Sequence, residues 1–308
     1  MTISLIIPIY GVEAFIADFA ESAFSQTYPD IQYVFVNDGT KDNSMSVLSQ
    51  LISDRYSYLE DKIVIVNKQN GGLPAARKTG LEYATGDYIW HVDPDDWLEP
   101  DAVESIVDSI NETGADVVYF NLVKEYSDRS KIKRDRYHAA DAQKMYVWDM
   151  FNHKSFGSVC NKCIRKSLYD NPKVLFAKYS YAEDTFLTSQ LVGYSNCIYF
   201  LDKPLYHYRK TNPNSITRQN LKKRHREYAL NFMRLYDHYR DLPIDQSPIA
   251  AIHDEILIKL GWYAILYGVK LYKDYPYLAG DIRKAKINPK ADVSLIGQLL
   301  AKVSVIFK

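Results

Sequence analysis

Over the first hundred residues, short apolar runs alternate with stretches in which apolar residues recur three and four apart. Residues 4–8, 32–37, 62–67 and 87–93 are runs of the kind that form strands, and the segments 12–26, 42–54 and 73–84 carry the period of a helix with one buried face. Strand and helix in alternation predict an α/β fold built on a mostly parallel, helix-covered sheet. Gly86 stands just past the third of these helices and is expected to cap it. After Asp93 the rhythm changes. A helix over about 100–113 leads to a strand at 116–123, then to KEYSDRSKIKRDRYH, a charged segment expected to be loosely structured. Mixed pieces follow. VCNKCIRKS reads as a strand running into a short helix, and a helical pattern starts at Glu183 with Phe186, Leu187 and Leu191 on its apolar face. In LYHYRKTNPNSIT the Asn-Pro-Asn marks a loop. From Asn220 the pattern is almost purely helical, over 221–242, 249–272 and 292–308. The chain is expected to divide near Arg218. Residues 1–218 form one domain with halves at 1–100 and 101–218, and 219–308 a helical extension.

The polar residues with most to say stand at the carboxyl ends of the predicted strands. In a parallel sheet these ends lie side by side and border one crevice, where open α/β sheets bind ligands. The first strand leads to Pro8, Tyr10 and Glu13, the second to Asp38, the third to Gly71 and Gly72, and the fourth to Asp93, Pro94, Asp95 and Asp96. Carboxylates spaced i, i+2, as Asp93 and Asp95 are, can hold a divalent cation through oxygen and leave positions open for substrate phosphates. Asp38 can accept hydrogen bonds from a base or ribose, and the two glycines let backbone approach a ligand closely. Arg77, one turn into the next helix, can neutralise a phosphate or lock a neighbouring carboxylate. Each piece has a plainer reading when taken alone. NDGT is a common turn, and DPDDW serves equally as a helix cap or a solvated acidic loop. An EF-hand is excluded because its D-x-D-x-D-G spacing is missing, and a dinucleotide site because the first turn, PIYGVEAF, lacks G-x-G-x-x-G.

Composition narrows the compartment and the partners. At 308 residues and 47% hydrophobic, the chain can bury a full core. Lys+Arg and Asp+Glu are 38 each, so no global field favours nucleic acid or acidic polymers, and any anion handling is local. MTISLIIPIYG lacks a basic leader and its apolar run is too short for a signal peptide. No apolar stretch reaches the ~20 residues of a membrane span. A cytoplasmic protein, soluble or peripheral, is expected. Cys160 and Cys163 form a single C-x-x-C and Cys197 stands alone. Without a second pair or histidines at ligand spacing, they read as buried structural thiols.

Taken in order, SLIIPIYGVEAFI, VNDGTKDNS, NGGLPAARKTGLEYATGDYI and VDPDDWL resemble the nucleotide-binding half of family 2 glycosyltransferases, inverting enzymes of the GT-A fold. The resemblance implies a Rossmann-like sheet with helices on both faces, here followed by the helical extension. It implies that Asp38 contacts the nucleotide base, and that Asp93 and Asp95 hold ribose and a Mn2+ or Mg2+ ion on the diphosphate. Pro8, Tyr10 and Glu13, with Gly72, Arg77 and Pro94, complete the donor side. Three positions depart from the family pattern: Pro94 stands where Ser is usual, Lys78 where Asn is usual, and His91 where an apolar residue is usual. In the second half, SYAEDTFLTSQLV is similar to the family's Glu-Asp segment, which supplies the general base. Asp184, or its neighbour Glu183, is thereby implied to take the acceptor hydroxyl's proton, on the face of the sugar opposite the departing diphosphate. The plain alternative is two acids favouring a helix N-terminus. LYHYRKTNPNSIT resembles a late segment whose Tyr, Arg and Ser lie on a mobile loop near the diphosphate, pointing to Tyr208, Arg209 and Ser215. His207 reads as core or acceptor wall, against the third metal ligand that some GT-A enzymes draw from a late His. CNKCIRKSLY aligns with an acceptor-lining region, which makes Asn161 and Lys162 expected contacts.

The activity so implied is transfer of a sugar, with inversion, from a nucleotide-diphosphate donor, foremost a UDP-sugar, to a hydroxyl of a glycan or lipid-linked acceptor in cell-surface polysaccharide synthesis. No nucleic-acid partner is expected. A sugar-nucleotide pyrophosphorylase would need a Gly-rich, basic loop after the first strand, which PIYGVEAF does not provide. A non-catalytic relative is disfavoured by the intact Asp93, Asp95 and Asp184. Arg218, Lys222, Lys223, Arg224 and Arg226 cluster where the extension begins. The last helix carries Leu295, Leu299, Leu300, Val303 and Ile306 on one face, with Lys302 and Lys308 nearby. Ordinary packing is the first reading of that helix, and peripheral contact with the inner membrane surface the second.

Overall fold

The computed structural model describes residues 1–140, 142–151, 154–218 and 220–239, with isolated positions 257, 258, 282, 283 and 298. Apart from those positions, the expected helices at 249–272 and 292–308, including the apolar and basic residues of the last, lie outside the described residues. Two compact units are present, Met1–Asn214 and Ser215–Lys308. The first begins β1 (Ile3–Ile9), α1 (Ile16–Phe24), β2 (Ile31–Asn37), α2 (Ser44–Arg55), β3 (Ile63–Asn67), α3 (Leu73–Tyr83) and β4 (Tyr88–His91). It continues with β5 (Trp97–Leu98), α4 (Ala102–Thr113), β6 (Val117–Glu125), β7 (Ser130–Lys133), α5 (Gln143–Phe151), β8 (Lys162–Arg165), α6 (Lys166–Tyr169), α7 (Glu183–Tyr194) and β9 (Ile198–Arg209). In the second unit the described residues form a 3-10 turn, Ile216–Arg218, and α8 (Leu221–Tyr239).

The strands make one sheet in the order β3-β2-β1-β4-β8-β6-β9-β5, with β7 paired to β6 off that path. The first four are parallel, β8 enters antiparallel between β4 and β6, and β9 runs parallel to β6. The carboxyl ends of β1, β2, β3, β4, β6 and β9 therefore share one edge. From β1 the chain moves outward to β3 and then returns to set β4 on β1's other side. That reversal opens a crevice between the ends of β1 and β4.

All seven residues of β1 are buried, as expected of a central parallel strand covered on both faces. One face packs Leu5, Ile7, Phe35 and Trp90 against Phe19 of α1, Leu48 of α2 and Ile106 of α4. The other sets Val34 and Val36 under Ala76 of α3. Gly80 lets α3 lie close to that face, since a Cβ there would collide with Ile6. This close approach carries Arg77, three residues earlier on the same helix, over the end of the sheet.

Several elements differ from expectation for local reasons. Helix α1 starts later than its periodicity suggests because Gly11 turns the chain at φ 70. The N–H groups of Gly11, Val12 and Glu13 then donate to Thr40 Oγ1, Ser44 Oγ and Asp42 Oδ2. Gly86 does not cap α3, whose C-cap is Ala84. It is a close-approach residue instead, where a Cβ would stand 2.8 Å from the backbone of Thr2 and Ser4. The charged segment after β6 is not loose. It forms a hairpin, closed by the Tyr126 N–H on the Arg129 carbonyl, with β7 as its exposed outer strand. Helix α7 is buried almost all round rather than on one apolar face. Cys160 and Cys163 are buried, and burial pushes both thiols up, which suits a structural role.

Candidate functional site

The turn after β4 points its acids in two directions. Asp96 faces inward and is fully buried. It accepts the hydroxyl of Tyr206 at 2.7 Å and the backbone N–H of Arg209 at 2.7 Å. Burial, and then the charges of Asp95 and Asp93, push its carboxyl well above the usual range, against those two hydrogen bonds. The Tyr206 oxygen also accepts the Asp93 N–H at 3.0 Å. β9 thus fixes the turn from beneath, and Asp93 and Asp95 are left at the crevice.

Arg77 sits at the centre of the acids. It is 1% exposed, donates through Nη2 to Asp93 at 2.8 Å and through Nη1 to Asp184 at 2.5 Å, and also pairs with Glu183 through Nη1. Desolvation alone would lower its pKa. Asp184 and Asp93 outweigh that and raise it, so the guanidinium stays charged. Of the two sequence options for Arg77, locking carboxylates is the one observed. The acids themselves are not equivalent. Glu183 is 4% exposed on its side chain, whereas Asp184 is 33% and Asp93 26% exposed. Burial pushes Asp93 up to about 6, Arg77 opposes, and Asp95 and Asp184 add to the rise. Ala182, just before the pair, holds φ 61, the one positive φ among the described non-glycine residues.

The residues expected on the donor side lie at the β1–β2 flank of the crevice. Asp38 accepts the N–H groups of Gly71 at 2.9 Å and Gly72 at 2.8 Å, and Lys68 Nζ at 2.5 Å. The two glycines thus bring their backbone to a carboxylate of the protein itself, with Gly72 at φ 83 as the N-cap of α3. Pro8 is buried within β1, while Tyr10 and Glu13 are exposed at its end. Glu13 accepts the backbone N–H and side-chain amide of Asn43 at 3.0 and 3.1 Å. Pro94 is buried under the turn.

Tyr208 and Arg209 lie on β9 and not on a loop. Arg209 stacks its guanidinium over Trp97 and Phe15, at 4.7 and 5.1 Å from the ring centres, and donates Nε to the Asp95 carbonyl at 2.8 Å. Ser215 falls in the second unit. His207 stacks flat on Trp97, and its two nitrogens meet Glu125 at 2.8 Å and Glu99 at 2.7 Å. It is held as a wall, with both nitrogens turned to acids other than the Asp93–Asp95 pair. Asn161 and Lys162, expected at the acceptor surface, are buried instead. Lys162 Nζ donates to the carbonyls of Phe156 and Ser158 and to Asn161 Oδ1, at 2.6, 2.7 and 2.8 Å. Both residues shape the 156–158 loop from within. His91 is buried on β4, and burial followed by Arg77 lowers it to about 3, against Asp184, so the ring is neutral.

Residue-level reading missed Tyr206, Asn212 and Lys68, and left Asp96 without a role. The alternation of LYHYR put Tyr206 inward, which was a usable signal. Nothing local marks Asn212, which donates to Asp95 Oδ2 at 2.7 Å, or Lys68. Among the described residues no three His, Cys, Asp or Glu side chains are gathered to hold a metal ion by themselves. Asp93 and Asp95 still fit a divalent cation whose coordination a diphosphate completes. Both offer hard oxygen ligands, each bonds to its protein neighbour through one oxygen, and the surrounding acids leave excess negative charge about Arg77. No helix among the described residues is long and apolar enough to cross a membrane.

Residues 4–171 match the profile described as Glycosyl transferase family 2. The chain is 30% identical over 221 residues to the glycosyltransferase EpsJ of Bacillus subtilis (strain 168), covering 70% of this chain and 62% of EpsJ. It is also 30% identical over 221 residues to the glycosyltransferase GlyA of Streptococcus pneumoniae serotype 4, covering 67% of this chain and 30% of GlyA. It thus spans less than two thirds of either curated relative. Among solved structures, residues 1–349 of S. aureus TarS in complex with UDP-GlcNAc align with a TM-score of 0.67 at 18% identity, covering 92% of this chain and 80% of that one. At that identity the likeness is one of fold: a mostly parallel GT-A sheet with flanking helices.

Proposed function

The chain belongs to glycosyl transferase family 2, and on that premise we propose that it moves a sugar, with inversion, from a UDP-sugar to a hydroxyl of a glycan or lipid-linked acceptor in cell-surface polysaccharide synthesis. The observation that carries this reading is the gathering of Asp93 and Asp184 around Arg77, beside Asp95, where β1 and β4 part. Asp184 is the proposed base. Its partial exposure, against the closed surroundings of Glu183, supports it within the pair. Arg77 holds Asp184 through Oδ1, so the acceptor's proton would pass to Oδ2. As the hydroxyl oxygen gives up that proton it bonds to the anomeric carbon, and the bond from that carbon to the diphosphate breaks on the opposite face. UDP leaves with the electron pair. A Mn2+ or Mg2+ ion held by Asp93 and Asp95 supplies, when bound, positive charge for the diphosphate oxygens. Asp38, poised between Lys68 and the glycine N–H groups, is the proposed base contact, with Tyr10 and Glu13 beside it. Arg209, clamped over the turn that carries Asp95, is the proposed diphosphate neighbour. A cytoplasmic location belongs to the same proposal, with ordinary packing as the first reading of the extension and peripheral contact with the inner membrane face as the second.

Calorimetric titration of UDP into the parent protein, with Mn2+ and with chelator, tests the donor half of this reading. UDP is expected to bind more tightly with Mn2+, and Asp95→Ala to remove the difference. Equal affinity with and without the ion would make the acidic turn a purely structural feature.

A further inference from the structure

The β6–β7 hairpin carries a cationic face that the proposed transfer chemistry does not use. Between residues 124 and 136 the basic side chains are Lys124, Arg129, Lys131, Lys133, Arg134 and Arg136. The arginines are paired, with Asp128, Asp202 and Asp149 in turn. The acids of the segment are occupied too, Glu125 by His207 and Asp135 by backbone N–H groups and Tyr146. Lys124, Lys131 and Lys133 make no ion pair among the described residues. The register puts these three on one face. Lys124 stands opposite Lys131, and Lys133 opposite Leu122, two residues before Lys124 on the same strand. On its other side Lys124 is paired with Tyr208 of β9, so an aromatic residue borders the face.

Like charges set directly opposite each other weaken a hairpin. Partial burial, and then Lys124, push the Lys133 ammonium down, with Lys210 adding to the effect and Asp135 opposing it. Lysines on an outer strand guard against strand-to-strand aggregation, which accounts for Lys131 and Lys133. It does not account for Lys124 on the inner strand.

The face is also linked, through the 156–158 loop, to the proposed base. Lys133 Nζ lies 4.1 Å from the ring centre of Phe156. Gly157, next in the chain, packs so tightly on Thr185 that a Cβ would collide with it. Thr185 follows Asp184, the proposed base. β6 and β9 end at the same sheet edge as β4. Side chains two residues apart on β7 are about 6.7 Å apart along the strand, enough to engage separate charged groups of one chain.

From this juxtaposition we infer that Lys124, Lys131 and Lys133 form an acceptor subsite for the phosphate or carboxylate groups of an anionic glycan, linked through the 156–158 loop to the base that takes its hydroxyl proton. The inference rests on the glycosyltransferase reading and adds the acceptor's chemical class to it. The test uses the full chain and a fluorescein-labelled dextran oligomer in neutral, phosphorylated and carboxymethylated forms of equal length, read by fluorescence anisotropy. The parent is expected to bind the charged forms at least about tenfold more tightly than the neutral one, the sum of three exposed ion pairs. Changing all three lysines to Gln should abolish that preference, and changing all three to Arg should keep it. Lys131→Gln alone, at an exposed position, carries the comparison if the triple variant does not fold. UDP binding with Mn2+ should be the same in parent and Gln variant. Absence of UDP binding in the parent would defeat the donor reading. UDP binding together with unchanged affinity of the Gln variant for charged dextrans would overturn this inference alone. Phosphatidylglycerol vesicles are the second arm: if the Gln change releases the protein from vesicles and leaves charged-dextran binding intact, the face is a membrane contact and the inference fails.

Discussion

Arg77→Met removes the charge from the middle of the acids while keeping most of the side-chain volume. The three ion pairs it breaks are unequal. Asp93 and Asp184 keep 26% and 33% of their side-chain surface exposed, so water can take Arg77's place, and each pair contributes about 1 kcal/mol or less. Glu183, at 4%, is shut off from water. A buried carboxylate left without its partner costs ~3–5 kcal/mol. The Glu183 pair therefore decides, and Arg77→Met should lower the unfolding free energy by ~3–5 kcal/mol. Adding Glu183→Gln to that variant should recover most of the loss, because no charge then remains buried. Arg77→Lys should fall between, since one ammonium cannot reach both sides as the two-pronged guanidinium does, and a charge-assisted hydrogen bond is worth ~1.5–3 kcal/mol. Urea unfolding followed by tryptophan fluorescence, compared at constant slope, ranks the four proteins. A loss below ~1 kcal/mol for Arg77→Met, or no recovery with Glu183→Gln, would refute the view that Arg77 is the counter-ion of a buried acid.

Asp184→Asn keeps shape and hydrogen bonding but removes the base, so initial rates of sugar transfer should fall at least ~10²-fold with UDP affinity little changed. A loss under about tenfold would move the base elsewhere. Ala182→Gly should raise the urea midpoint, by up to about 1 kcal/mol in free energy, by relieving the left-handed backbone before Glu183. A lower midpoint would count against strain at that position. At Asp42, burial disfavours the charge, but hydrogen bonds from Ser44 and Thr40 and the N–H groups of Glu13 and Ser44 outweigh it and lower the carboxyl from 3.8. A folded pKa below the unfolded one means stability that is present above about pH 4 and lost as pH falls through the lowered value. The stability gap between the parent and Asp42→Asn should therefore be constant from about pH 5 to 7 and shrink below about pH 4. A gap independent of pH would show that the charge of Asp42 does not hold the β1–α1 and β2–α2 loops together.

How far the sequence could be read depended on burial. β1, β2 and β4 are largely buried strands, so continuous apolar runs announce them, as the wholly buried β1 shows. β3, at the sheet edge, keeps the apolar run although only Val66 of it is buried. β7 is exposed at all four residues and β5 is two residues long, so neither leaves an apolar trace. The same division holds at the site. Asp38, Asp93 and Asp95 follow strands whose ends any parallel sheet brings together, so position alone makes them candidates. The resemblance brought in Asp184. What local spacing could not reveal is which acid is sealed. Glu183 and Asp184 are neighbours on one helix turn, and only the packing of α7 separates their surroundings. Lys162 misled because a lysine beside an acceptor-like segment looks like a surface contact. The carbonyls of the 156–158 loop needed an internal donor, and that need is visible only in three dimensions.

The partners of Arg77 lie 16, 106 and 107 residues away along the chain. A chain emerging from the ribosome would complete β1 to β4 and the loops around Asp38 long before α7 exists. Closing a loop of that length adds little entropy beyond a shorter one, but contacts so distant in sequence form late and slowly. The loops proposed to hold the nucleotide and the proposed base are thus separate products of biosynthesis, joined only when β8 has slotted between β4 and β6 and α7 has docked. On the proposed assignments, a half-made chain would present the donor loops with no base to act on what they hold. Turnover would then report the final docking of the second half and not the folding of the first, and the unfinished protein would be spared the chance to spend sugar nucleotide on water.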